Sequence, residues 1–171
     1  MPSKVYNNVE DHKLIDNNRV AEDITSVTIP DVEHPTVDID AAGMAGAVSL
    51  PNQSKINNME LSIAHNNGVN CARLADAGKH TIEFRLARQR YNVPKADIEH
   101  EGVKYRFTCI HRSTADGTIE SGNPIGSTER FTVLRFEKIV NGTTVTLIDK
   151  MTGIIRINGK DVNSAVQNLL N

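Results

Sequence analysis

The residues with the chemistry to build a site are dispersed along this chain. Asp38 and Asp40 stand two apart in Thr36-Val37-Asp38-Ile39-Asp40, so on a strand both carboxylates leave the same face, a geometry suited to a metal or an acid/base pair. Spacing ties no histidine or third carboxylate to them, and a solvent-facing acidic row has the same pattern. The six histidines, His12, His34, His65, His80, His100 and His111, form no HxxxH or HExxH pair. Cys71 and Cys109 belong to no CxxC motif and read as buried free thiols. Gly43-Met44-Ala45-Gly46 has two glycines of a phosphate loop but neither the Lys-Ser/Thr pair nor the strand and helix that frame one. Asn52-Gln53-Ser54 and Asn141-Gly142-Thr143 match the glycosylation sequon without a secretory signal to give it meaning. No Ser/His/Asp or Cys/His set follows from the chain order. The expectation is a protein that is not an enzyme and needs no cofactor or metal.

One charged row remains. Arg85, Arg88 and Arg90, with Lys104 and Arg106, fall on two strongly alternating segments, so they read as a solvated mixed face or as a face turned to a subunit or a channel. The chain as a whole is balanced: 171 residues carry a formal charge of -2, with no run of like charges to hold nucleic acid or a membrane surface. No apolar run reaches the roughly 18 residues of a membrane span, and residues 1–13 have no signal-peptide core, so a cytosolic product is expected. The length suits one domain, 1–171.

The elements that must position these residues read as short strands. Residues 1–20 are polar and Asn-rich, an N-terminal arm with one short strand or none. Ile24 to Ile29 and Thr36 to Ile39 are strand-like, and Met59, Leu61 and Ile63 share one face of another strand. Between these lies Asp40 to Pro51, where eight of twelve residues are Gly, Ala, Ser or Pro, a connection between strands of one sheet. Val69 to Ala77 has helical spacing, with Gly78 as its cap. Thr81 to Tyr91 and Val103 to Ile110 alternate most clearly, and Asn92 to Gly102, with Asp97, Glu99 and Glu101, reads as a solvated loop between them. Ser113 to Ser127 reads as a second loop. The apolar phase of Phe131 to Val140 slips between Val133 and Leu134, as a β-bulge requires. Asn141-Gly142 then predicts a type I′ hairpin turn into Thr143 to Asp149. After a strand at Gly153 to Ile157, Val162, Ala165, Val166, Leu169 and Leu170 line one face of a C-terminal helix within 161–171, with Asp161 as N-cap. Seven to nine strands with one or two helices make a β-sandwich or barrel.

Three segments together resemble the major tail tube proteins of contractile-tailed bacteriophages and related contractile bacteriocins. Ser26-Val27-Thr28-Ile29-Pro30-Asp31-Val32-Glu33 is similar to that family's "SVTLPxLE" segment. Asp40-Ala41-Ala42-Gly43-Met44-Ala45-Gly46 is similar to its "GAGMxG" signature, although Ala41 replaces the usual first glycine and Ala47 the acidic residue that commonly follows. The stretch from Phe136-Glu137-Lys138-Ile139 to Ile157-Asn158-Gly159-Lys160-Asp161 is similar to its "YYKLxxxGxxxxxID…xNGxD" close.

The resemblance implies a mainly β tube subunit whose inner strands close with those of five other copies into a hexameric β-barrel ring. Such rings stack into a tube that conducts DNA in a phage or pierces a cell as a bacteriocin. The expected partners are further copies of the chain, the tail sheath, the tape-measure protein, and the baseplate and tail terminator proteins. DNA would pass without specific binding, and no membrane binding is expected of this chain alone. The expected location is a virion tail or bacteriocin particle, assembled in the host bacterial cytoplasm. Ala42, Gly43, Met44, Ala45, Gly46, Val48 and Leu50 become candidates for contact between rings or subunits, and Glu83, Arg85, Lys104 and Arg106 for a lumen-facing or inter-strand charged face. A type VI secretion tube protein is the near alternative, and a monomeric ligand-binding β-barrel or small enzyme the distant one.

Overall fold

The computed structural model describes residues 2–170. In chain order its strands are β1 (Lys4–Asp16), β2 (Arg19–Ala21), β3 (Ile24–Thr28), β4 (Thr36–Ile39), β5 (Val48–Pro51), β6 (Glu60–His65), β7 (Lys79–Asn92), β8 (Asp97–Ala115), β9 (Ser127–Val140), β10 (Thr143–Asp149), β11 (Ile154–Ile157) and β12 (Lys160–Asp161). A 3-10 helix covers Val69–Ala75, and α1 covers Ser164–Leu170. The protein is mainly β, as its alternation predicts, with twelve strands among the described residues instead of seven to nine.

The main sheet runs β12-β11-β10-β9-β8-β7-β1-β2 and forks at β9. One edge of β9 pairs with β8, while the other pairs with β6 through Ser127–Thr132 and with β10 through Arg135–Val140. The fork falls at Leu134, an extra residue of β9 between the pairs Cys109↔Val133 and Thr108↔Arg135. This is the bulge that the phase slip predicts, and it lets one strand serve two partners on the same side. Through β6 the sheet continues to β3, which folds back toward the inner face of β1, β7 and β8.

The inner face alternates into one contiguous core: Leu14, Ile82, Phe84, Phe107, Cys109, Phe131, Val133, Phe136 and Ile148, closed by Met59, Leu61 and Ile63 from β6. Phe107 stacks on Phe136 at 5.3 Å between centroids and meets Phe84 edge-on at 6.3 Å. Cys71 and Cys109 are buried and unbridged, as expected.

The hairpin turns follow the Asn residues. Asn141 and Gly142 have φ of 47° and 80°, the two positive angles of a type I′ turn. Asn17-Asn18 closes β1 onto β2 in the same way, with φ of 46° and 65°. Residues 4–21 are therefore no loose arm: β1 pairs with β7 along nearly its whole length. Two bulges, between Tyr6 and Asn8 and between Val9 and Asp11, scramble its alternation and hide the strand in the sequence. Met1, at the start of that arm, and Asn171, at the end of the expected C-terminal helix, lie outside the described residues.

Other expectations need correction. Asn92 to Gly102 is no loop, since the β7–β8 hairpin runs to the pair Asn92↔Asp97 and turns through residues 93–96. Arginines opposite the acidic residues make that polar stretch a ladder. Val69–Ala75 is 3-10, and its chain leaves through Asp76 in extended conformation, so Gly78 is not its cap. Asp161 does not cap α1 either: its Oδ1 accepts the Asn163 N–H at 3.0 Å in a turn ahead of the helix.

Candidate functional site

Two clusters with catalytic potential are spent inside the sheet. Asp16 and His80, both buried, meet at 3.0 Å through Oδ1 and Nδ1, while His80 Nε2 faces the Asp76 carbonyl oxygen at 2.8 Å. Both ring nitrogens are occupied by β1 and the 3-10 exit, so the pair ties strands together and presents no base. Buried Glu129 is held by Thr114 Oγ1 at 2.5 Å and His111 Nε2 at 2.8 Å, with His65 Nε2 at 3.7 Å. Neither cluster was visible in the sequence, because its members lie on different strands. Among the described residues no group of three or more His, Cys, Asp or Glu could hold a metal ion.

The arginine row divides between two faces. Arg88 and Arg90 share the inner face with Ile82 and Phe84, beyond the end of the core, and meet the β8 acids there. Arg88 Nη2 lies 2.5 Å from Glu101, and Arg90 reaches Glu99 at 2.9 Å and Glu101 at 3.0 Å. Hydrogen bonds from Asn92 and Lys95 hold the Glu99 carboxyl down at about 2, with Arg90 adding to them against a partial desolvation. The guanidinium of Arg88 also lies over the Tyr6 ring, 4.3 Å from its centroid.

The outer face brings together Glu83, Arg85, Lys104 and Arg106. Arg106 lies opposite both Glu83 on β7 and Glu137 on β9, at 3.2 and 3.1 Å. Arg135 continues the chain from Glu137 at 2.5 Å to Asp149 on β10 at 3.5 Å. Arg85 and Lys104 close on Glu83 at 2.5 and 3.9 Å. Burial alone would raise Glu83, but the hydrogen bonds from Arg85 and Arg106 outweigh it and its pKa is lowered. The result is an alternating ladder across four strands in which every arginine has a carboxylate.

The small-residue stretch links two strands of one sheet, as expected, but that sheet is a separate two-stranded ribbon, which the stretch tips. β4 and β5 pair only with each other, in the register Val37↔Leu50 and Ile39↔Val48, and all eight of their residues are exposed. Val48 to Pro51, read as loop from sequence, is strand. The register puts Val37, Ile39, Val48 and Leu50 on one apolar face and Thr36, Asp38, Ser49 and Pro51 on the other. Ala42, Gly43, Met44, Ala45 and Gly46 form the exposed tip, with Gly43 at φ 94° and nothing within 4 Å of where its Cβ would stand. At its base the ribbon is tied by Asn52 N–H to the Pro35 carbonyl (2.7 Å) and Asn57 N–H to that of Glu33 (2.8 Å). The alternation of Val37, Ile39, Val48 and Leu50 was the available signal for this face.

A second apolar face is also uncovered. On α1, Leu169 is 88% and Leu170 82% exposed, and the helix has no buried residue.

Two uncovered apolar faces and a paired charge ladder are features of a subunit that packs against other copies. The sequence profile of the family described as "Phage tail tube protein FII" matches residues 12–170. This chain belongs to that family. Its members are structural tube proteins, and a structural role in a tail tube follows for this chain. Among curated proteins no sequence matches significantly. Of solved structures, one similar chain comes from the cryo-EM structure of an extracellular contractile injection system, PVC sheath/tube terminator in the extended state. The likeness has a TM-score of 0.53 at 11% identity and covers 77% of this chain and 94% of that one. Another, from the PVC sheath-tube complex in the extended state, has a TM-score of 0.50 at 11% identity, covering 74% and 86%. At such identity these establish the shared fold.

Proposed function

We propose that the chain, as a single tube domain, assembles into hexameric rings that stack into the inner tube of a contractile tail. That tube is a conduit for DNA in a phage or a cell-piercing tube in a bacteriocin. The observation that carries this reading is the β4–β5 ribbon, a projecting element with an apolar face that its own chain leaves bare. An isolated two-stranded hairpin is marginal in water, so such a ribbon is built to be covered. Ala42 to Gly46, Val48 and Leu50 then contact an adjacent subunit, and the ladder of Glu83, Arg85, Lys104 and Arg106 faces the lumen or a neighbouring strand. With Glu137, Asp149 and Arg135 it sets three carboxylates against four cations, a near-neutral wall past which DNA slides without specific binding.

The neighbours from sheath-tube assemblies support a sheath as outer partner. Tape-measure, baseplate and tail terminator proteins complete the set on this reading, with assembly in the host bacterial cytoplasm before the tail is used. Negative-stain electron microscopy of the purified protein across a concentration series is the test. Six-fold rings or tubes of stacked rings are expected, and monodisperse monomers at millimolar concentration would overturn the proposal.

A further inference from the structure

The ribbon needs a seat, and an apolar groove at the open edge of the sandwich matches it. β3 pairs only with β6, and β1 beyond its last three residues pairs only with β7, so the two strands face one another with free edges and the sandwich stays open between them. In that opening lies a mainly apolar groove of about 230 Å³, lined by Val9, Val27, Ile29, Phe84, Leu86 and Tyr105 with His12 and Ser26 beside them. Phe84 belongs to the core, so the groove leads to the protein interior. Val9, on its rim, is 57% exposed.

We infer that this groove receives the apolar face of the β4–β5 ribbon from a second copy of the chain. This rests on the tube reading and adds the receiving surface to it. Charge complementarity selects the ribbon over other occupants. Asp31, Glu33, Asp38 and Asp40, on and beside the ribbon, are exposed and have no cation partner within the chain among the described residues. Beside the groove, Lys138 Nζ lies over the Tyr105 ring at 5.7 Å and has no carboxylate partner among the described residues. The ribbon's base is held on the β10 side, where Lys150 Nζ donates to the Asn57 carbonyl and Asn163 Nδ2 to that of Ser54. Three strands separate β10 from β1 in the sheet. Knob and groove are therefore different surfaces of one molecule, and joining them between copies is a heterologous contact that propagates.

The test is disulfide trapping with the full chain, made as two separate variants, Leu50→Cys and Val9→Cys. Both positions are exposed, whereas the native Cys71 and Cys109 are buried. After mixing under polymerising conditions and mild oxidation, a disulfide-linked dimer is expected only from the mixture. The double variant is expected to give a ladder of linked chains. Rings or tubes of the mixture without the cross-link overturn the groove as seat while leaving the tube reading intact, and so does a double variant that runs as an oxidised monomer. Wild-type protein is imaged alongside, and its failure to assemble would sink the tube reading itself. Val37→Cys in place of Leu50→Cys repeats the readout should the first variant assemble poorly. Val9→Asp must also raise the concentration needed for polymerisation at least tenfold with unchanged monomer unfolding; wild-type polymerisation by that variant counts against the seat.

Discussion

Truncating the ribbon's apolar face with Val37→Ala and Leu50→Ala separates folding from assembly. In the free chain Val37 is 60% and Leu50 49% exposed, so about half of each side chain is still available for burial. Full burial of a Val or Leu side chain contributes about 1.5–3 kcal/mol, so the missing half contributes roughly 1 kcal/mol at each position. Cutting both to Ala removes most of that, about 1.5 kcal/mol per contact, and every 1.4 kcal/mol is about a tenfold change in an equilibrium constant. Each added subunit makes one new ribbon contact, so the critical concentration for polymerisation should rise about tenfold. Leu50→Asp should raise it far more, because a carboxylate in an apolar contact adds a desolvation cost of several kcal/mol. The assay is sedimentation of polymer against total protein, paired with urea unfolding of the unpolymerised chain, which should be unchanged for both the double alanine variant and Leu50→Asp. Polymerisation of the double alanine variant at the wild-type concentration would refute the reasoning. A clear fall in monomer stability would refute it differently, by showing that the ribbon packs on its own core.

Other outcomes follow from the same geometry. Glu99 is held at about 2 against an ordinary 4.5, so its folded pKa is depressed; the stability it contributes is present above pH 4.5 and is lost as pH falls toward 2. In urea unfolding across pH, Glu99→Gln should therefore lie below wild type at neutral pH, with a gap that closes by about pH 2; a gap that widens in acid contradicts the assignment. Gly43→Val forces a side chain into φ 94° at an exposed tip with open space around it, a strain of about 1–3 kcal/mol confined to the ribbon. Electron microscopy should show fewer and shorter tubes while the thermal midpoint stays put, and tubes of normal length would remove the tip from the contact. Burial, with Asp16 nearby, pushes the Cys109 thiol up to about 12, and burial also raises Cys71. Neither should react with a thiol reagent at neutral pH until urea unfolds the chain, and rapid labelling of the native protein would show that the core opens.

Segments whose alternation is unbroken were legible from sequence, and those whose alternation a bulge interrupts were not. Thr81 to Tyr91 and Val103 to Ile110 keep strict phase, and both lie inside the longest hairpin of the fold. The single slip at Leu134 was readable because strong apolar residues flank it on both sides. In β1, two bulges within six residues and an exposed, Asn-rich surface leave only Leu14 and Ile15 to signal a strand. Register was the other missing quantity. The sequence shows Arg88, Arg90, Glu99 and Glu101 as charges near a loop, but only the pairing of Arg88 with Glu101 and Arg90 with Glu99 turns them into rungs. The buried pairs Asp16–His80 and Glu129–His111 were illegible for the same reason.

The candidate site shows where such reading stops for a polymerising protein. Composition drew attention to Ala42 to Gly46, yet the apolar area lies on the arms behind that tip, at Val37, Ile39, Val48 and Leu50. Each arm is only four residues long, and β5 ends on Pro51, so neither arm has enough alternation to stand out. A small-residue tip allows close approach to another surface but offers little area to bury; on the proposed reading the arms supply the area, and the tip sets how near they come. Selection for assembly therefore acts on residues that look misplaced in the single chain: exposed valines and leucines, free strand edges, and a groove that reaches a core phenylalanine. In a monomeric protein these would be aggregation liabilities. Here they have a common physical explanation, because each is an edge or face that a neighbouring copy can complete.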